Sequence, residues 1–294
     1  MNRAMKAKNG KKAKSAKGAN SYPKQVLVKQ MSGYKNVYII GHYKPVKHLC
    51  RYVPFMRLRK DVDAQTLTFV SPKCWTDPFE NLYWGRDYDG YNKPSITCLC
   101  VTEYDNHHSE DAMWKSFSDS YDKTIRVVYN SDELFRQLDK FAEEHSCKIY
   151  VSKMDYLYTR ASLIKLKPLR DYHVVHMDDA TLITLMSLKR KAFEYENEVR
   201  IFVVGCQTNE YNLLRVGGVQ YGNGLIYMMT IAPIKPFAYN DPRQQSYSKY
   251  QKLEYGIYRD ELKKLIPSVS VSRSLVYQFR ESEIMENGDI NKIL

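Results

Sequence analysis

Thr124-Ile125-Arg126-Val127-Val128-Tyr129-Asn130-Ser131-Asp132-Glu133-Leu134-Phe135 begins with one periodicity and ends with another. Its first six residues are rich in β-branched and aromatic side chains, the composition of a strand. Asn130 then offers a side-chain oxygen to the free amides of a helix start, and Glu133 stands at the reciprocal position of a capping box. Leu134, Phe135, Leu138, Phe141 and Ala142 recur at helical spacing, so this helix buries one stripe and ends near His145. Lys148 to Lys153 follows as another strand. A strand, an amphipathic helix and a strand in close succession place the chain among folds that mix helices with a sheet.

Working outward, Val26-Leu27-Val28 and Val37 to Ile40 read as short extended segments, and Gly41 ends the second. Leu49 to Tyr52 is ambiguous on periodicity. Thr66 to Val70 is a clearer strand, ended by Ser71-Pro72. Ile96 to Val101 is a buried strand. Ser109, with Glu110 and Asp111 behind it, starts a helix that carries Met113, Trp114 and Phe117. A second strong helix is expected from Asp179 to Phe193, then strands over Glu198–Val204 and Leu225–Ile231. Residues 237–255 are polar and Tyr-rich and read as a long loop. A short helix over 258–265 and a strand over 269–272 follow. No βαβ unit repeats, and no Gly-rich phosphate loop or internal repeat is present. The expected fold is a single α+β domain over residues 25–294, with a mixed or mostly antiparallel twisted sheet flanked by several helices.

Composition bounds what such a domain does. A chain of 294 residues buries roughly three quarters of its unfolded surface, so its core needs no staples. The net charge of +12 is concentrated at one end: Arg3, Lys6, Lys8, Lys11, Lys12, Lys14 and Lys17 face no acid in residues 1–20, and without these seven charges +5 remains. Residues 1–24 hold too few apolar groups to offset the entropy of ordering and read as a basic disordered tail. Such a tail is either a nucleic-acid contact or a solvated end. No aromatic residue interleaves with residues 1–20 as a stacking surface would require, which favours the second. No apolar run is long enough to span a bilayer, and no signal-like segment follows the basic start, so a cytoplasmic protein is expected. The six cysteines form no Cys-x-x-Cys pair and read as reduced thiols. Cys98 and Cys100 share a strand face, but with His107 and His108 they match no common zinc spacing, and no metal site is assigned.

Three segments place aromatic residues beside acids. Asp77-Pro78-Phe79-Glu80 follows a strand end, and Pro78 holds Asp77 extended, so its two carboxylates are aimed. Ala112-Met113-Trp114 presents an indole N–H that needs a partner if buried. Tyr195-Glu196-Asn197-Glu198-Val199-Arg200 is the sharpest: along a strand, Glu196, Glu198 and Arg200 face one side, where two carboxylates raise each other's pKa and Arg200 offsets part of that. The alternative for this last segment is a solvated strand face with an ion pair.

In order and spacing these motifs resemble the bacterial family catalogued as domain of unknown function 2971. The resemblance is carried by Leu49-Cys50-Arg51-Tyr52, Thr76-Asp77-Pro78-Phe79-Glu80, Ala112-Met113-Trp114, and Lys189 through Phe193 to Arg200. Cys50, Thr76 and Phe193 stand where that family usually has an aromatic, an Asn and a Trp. The resemblance implies a site and no established activity.

Two functional classes fit. The order of Arg51, Ser71 and the Glu196/Glu198 pair resembles one class of ADP-ribosyl transferases, which implies an enzyme using NAD. Arg51 would then grip the cofactor phosphates, Tyr52 or Trp114 would stack on the nicotinamide, and Glu198, with Glu196 second, would stabilise an oxocarbenium-like centre. Ser71, Asp77, Glu80, Tyr195 and Arg200 would complete the cofactor site, with a nucleotide-like small molecule as partner. The other class is a non-catalytic nucleic-acid or protein interaction module, defence-associated against phage, in which Asp77, Glu80, Glu196, Glu198 and Arg200 form a structural polar network. Burial separates the two: sealed acids with no adjoining cleft argue for the network. Metal-dependent phosphoester cleavage is weaker, because nothing places His42, His107 or His173 beside the acids.

Overall fold

The computed structural model describes residues 26–75, 77, 80, 95–104, 110–117, 124–157, 178–233 and 247–274. The basic segment 1–24, and with it the nucleic-acid contact read from residues 1–20, lies outside them. So do Ser109, His107, His108 and His173.

The strands are β1 (Val28–Gln30), β2 (Val37–Ile40), β3 (His48–Pro54), β4 (Leu67–Val70), β5 (Ile96–Glu103), β6 (Thr124–Asn130), β7 (Lys148–Lys153), β8 (Asp155–Leu157), β9 (Leu188–Arg190), β10 (Glu198–Val204), β11 (Leu213–Val216), β12 (Ile226–Ile231) and β13 (Ser270–Arg273). The helices are α1 (Phe55–Asp63), α2 (Glu110–Phe117), α3 (Ser131–Glu144), α4 (Asp179–Met186) and α5 (Tyr247–Leu265). Eleven strands form one mixed, mostly antiparallel sheet in the order β1-β2-β7-β10-β5-β3-β6-β12-β13, with β4 pairing to β5 and β11 to β4. β8 and β9 form a separate parallel pair. The expected α+β domain is the observed one.

Alternation along the central strands divides the core. Leu49, Val53, Leu99, Val101, Val127, Val151, Val199 and Ile201 face one side, where α1, α3 and α5 cover them. On the other side two smaller clusters form. Phe202, Cys98 and Tyr150 pack against Leu182, Ile183 and Met186 of α4. Cys50, Tyr52 and Val128 pack against Met113 and Trp114 of α2. The central strands carry apolar residues on both faces because both are covered, which is why they read as continuous runs rather than alternations.

Local signals behave as their chemistry dictates, with four corrections. Asn130 caps α3, its side chain accepting from the Asp132 amide at 3.2 Å. Glu133 does not close the capping box; it binds the Arg136 fork at 2.7 and 2.6 Å, a charge-assisted pair that outcompetes a backbone amide. The expected helix from Asp179 to Phe193 stops at Met186. Ser187 turns its hydroxyl back to the Ile183 carbonyl at 2.7 Å, and the next three residues pair with β8 as β9. The loop expected over 237–255 becomes α5 from Tyr247 onward. Tyr255, Tyr258 and Leu262 lie at i, i+3 and i+7 and pack on the core, so tyrosine supplies an apolar stripe that a polarity count hides. Finally, α1 begins directly after Pro54 in a segment with no expected helix; Phe55 and Leu58 are buried, and Val62 packs partly buried on the same core.

β3 and β5 pair only at Leu49 with Glu103 and at Cys50 with Thr102. β5 is taken up again on that edge by β4, at Cys98 with Val70. Between these contacts the sheet splits. Next to that split lies the candidate site.

Candidate functional site

Glu198 and Arg200 leave β10 on the same face, as their two-residue spacing requires. Glu196 joins them by another route. Residues Lys191–Glu196 form a 3-10 turn, not a strand, and Asn197 follows in the left-handed conformation at φ 44°. Asn tolerates that conformation better than most residues, and it turns the chain so that Glu196 ends beside Glu198. Thr102 on β5 pins the turn, donating to the Glu196 carbonyl at 2.6 Å. The expected strand over 195–200 is thus corrected to a turn followed by a strand, while the grouping of Glu196, Glu198 and Arg200 stands.

Lys189 is at the centre of this group. It sits mid-strand on β9 and donates to Glu196 Oε2 and, at 2.8 Å, to Glu198 Oε2. Glu80 Oε1 lies 3.4 Å from its ammonium. Arg200 donates through Nε to Glu198 Oε1 at 2.7 Å, through Nη1 to the Met186 carbonyl at 2.7 Å, and through Nη2 to Glu80. Its guanidinium carbon lies 4.2 Å from the centre of the Trp75 ring. Two cations therefore face three carboxylates, almost wholly out of water: Arg200 is 1% and Glu198 2% exposed.

The three acids are not equivalent. Burial opposes the charge on Glu198, but Arg200 and Lys189 outweigh it and hold the carboxyl down to about 2, from an ordinary 4.5. Both Glu198 oxygens accept from cations, and its amide donates to the Tyr156 hydroxyl at 2.8 Å. Burial pushes Glu196 up, and Lys189 offsets only part of that rise. Glu196 uses one oxygen on Lys189; among the described residues the other makes no hydrogen bond. Glu198 is saturated, whereas Glu196 is an acid with a raised pKa and a spare oxygen.

These shifts set an acid-stability profile. A depressed pKa gives Glu198 a stabilising contribution that is complete above 4.5 and is lost as pH falls toward 2. Glu196 has the opposite sign: its raised pKa favours the folded state at low pH, and that gain is lost as pH rises through the folded value. Urea unfolding between pH 5 and pH 2 should show wild type losing on the order of 3 kcal/mol more than Glu198→Gln. Parallel profiles would remove Glu198 from the buried ion network.

Beside the network lies a cavity of about 270 Å³ in the split between β3 and β5. Glu196, Glu198, Tyr52, Cys100 and Met113 line it from one face of the sheet; Arg51, Val53, Arg57 and Val101 line it from the other. Arg51 and Tyr52 therefore reach the cavity as expected, but Arg51 comes from the face opposite the acids, because strand neighbours alternate. The other expected residues stand elsewhere. Trp114 is 0% exposed and packs edge-on against Tyr52 at 4.6 Å, behind the wall rather than in it. Ser71 caps the turn Pro72–Cys74, accepting from the Lys73 amide at 3.4 Å, and does not line the cavity. Tyr195 exchanges a 2.6 Å hydrogen bond with Ser116 outside it. Asp77 pairs with Arg190 at 2.8 Å, so of the two aimed carboxylates only Glu80 joins the buried network. Lys189 enters the sequence reading only through the family resemblance, and Arg57 does not enter it. Lys189 is the first of three consecutive cations, Lys189-Arg190-Lys191, and lies seven residues before Glu196; Arg57 has no sequence signal.

The thiols of Cys98 and Cys100 lie 4.0 Å apart on one face, and among the described residues no three His, Cys, Asp or Glu side chains converge as metal ligands would. No helix among the described residues is long and apolar enough to cross a membrane. In comparisons with known proteins, the chain matches no family model, no curated protein and no solved structure.

Proposed function

We propose that the cavity between β3 and β5 is a nucleotide site, and that the protein acts there as an ADP-ribosyltransferase-like enzyme on NAD. The observation that carries this reading is that the acids of the buried network reach a cavity that Tyr52 also lines. A network serving only the fold would be closed on all sides. Here Glu80, Lys189 and Arg200 stand off the cavity, while Glu196 and Glu198 both line it.

The chemistry follows from the asymmetry of the acids. The bond between the ribose carbon and nicotinamide breaks, and nicotinamide leaves with the bonding pair. The positive charge left on the sugar carbon is stabilised by the nearby carboxylate. An acceptor hydroxyl then bonds to that carbon, and its proton passes to Glu196, whose raised pKa suits it as a base. Glu198 acts as a positioning residue, fixing Lys189 and through it Glu196. This reverses the order expected from the motif, in which Glu198 was the principal acid. Tyr52 supplies the apolar wall for a ring. The resemblance to the domain of unknown function 2971 family, itself a proposal, points to the same residues.

At about 270 Å³ the cavity holds one ring and its sugar, near the lower end of small-molecule sites. The rest of a dinucleotide would continue toward a groove of about 1030 Å³ that shares Pro54 and Arg57 with it. Thermal unfolding with NAD, ADP-ribose and adenosine tests the reading. NAD and ADP-ribose should raise Tm saturably, with about 2.7 kcal/mol of stabilisation at a hundredfold excess over Kd. A panel with no Tm change at any concentration would end it.

A further inference from the structure

We infer that Arg51 and Arg57 form a subsite for a phosphate-class anion at the throat where the cavity meets the outer groove. The diphosphate identity of that anion rests on the nucleotide reading above; the subsite itself rests on the arginines.

Both side chains line the cavity and both are half-buried. Among the described residues neither makes a hydrogen bond or an ion pair. Guanidinium groups in such surroundings ordinarily find a carboxylate. Here the two line one cavity and lie close enough to act on each other's charge. Burial lowers the pKa of Arg57, Arg51 lowers it further, and only Asp61 acts in the opposite sense. Asp61 is buried and already accepts from Thr68 at 2.6 Å. Asp63, the other acid of the groove, lies 3.7 Å from Arg59. Asp61 and Asp63 are thus engaged with other partners, and Glu196 and Glu198 line the cavity from the opposite face of the sheet, while the two arginines are open.

The start of α1 adds to the same field. Its N-cap is Pro54, which offers no capping side chain, and its first turn contains no acid. Pro54 and Arg57 both line the cavity, so the positive end of the helix lies there as well. An anion bound at this throat would neutralise the repulsion between the arginines and accept from their planar forks bidentately. Arg57 also lines the outer groove with Lys60 and Arg215. A ligand with a ring beside Tyr52, two phosphates at the throat and a second group outside fits this series.

Calorimetric titration of the full chain with inorganic pyrophosphate tests the subsite, with ADP-ribose as competitor. Wild type should bind pyrophosphate saturably. Arg57→Gln should weaken binding at least about tenfold, Arg57→Lys should lose less because it keeps the charge, and Arg136→Gln on the exposed face of α3 should bind as wild type. Circular dichroism melts confirm that each variant is folded. Absence of saturable binding, or equal binding by Arg57→Gln and wild type, overturns the inference. If pyrophosphate binds through Arg57 but ADP-ribose does not displace it, the anion subsite stands and the nucleotide reading falls.

Discussion

Arg200→Met lowers the free energy of unfolding by about 3–5 kcal/mol, the cost of leaving buried carboxylates without their cation. The size of the effect follows from the arrangement. Arg200 holds Glu198 through Nε and Glu80 through Nη2, and it is almost fully removed from water. Its loss strands charge on both sides, and Lys189 alone must then neutralise three carboxylates. Met keeps the volume, so a cavity is a minor part of the loss. The double variant Arg200→Met/Glu198→Leu separates charge from packing: removing the stranded carboxylate should recover much of the stability. Urea midpoints with unchanged m-values check both variants. A single variant within about 1 kcal/mol of wild type would mean that Glu198 and Glu80 are hydrated rather than buried.

Sequence carried unequal amounts of this. β6, β7 and β10 were legible because β-branched runs bounded by turns have few other uses. The stripe from Leu134 to Ala142 was legible because one amphipathic face determines one burial pattern. Glu196, Glu198 and Arg200 were legible as a group from spacing, although Asn197 breaks the strand that the spacing assumed. The end of α4 was not legible, since Leu188-Lys189-Arg190 extends a helical pattern until it pairs with β8, a contact thirty-odd residues away in sequence. The helical pattern also puts Lys189 mid-helix when it is the hub of the buried network, and only the family resemblance groups it with the acids. Trp114 was misassigned because a buried indole and a cleft indole look the same in sequence. The split between β3 and β5 depends on which strands are neighbours, a non-local fact with no local signal. The meeting of Arg51 on β3 and Arg57 on α1 beside it could not be read before the topology was known.

On the proposed NAD reading, Glu196→Gln should cut turnover at least about a hundredfold and leave the fold intact; this is the second large effect. The amide oxygen can still accept from Lys189, and the surplus negative charge of the network disappears, so stability should hold or rise slightly. On that proposal, what is lost is the carboxylate that would stabilise the ribose carbon and take the acceptor proton, a loss of about 10²–10⁴-fold for a general base. Glu198→Gln affects rate and stability together, because Glu198 anchors both cations. Glu196 is the position where function and stability separate. The deciding measurement is nicotinamide release from NAD by wild type and Glu196→Gln at equal, verified Tm. Release by wild type, reduced about a hundredfold or more in the variant, is the predicted result. No release by wild type, or equal release by both, would contradict a glycosidic role for this cavity.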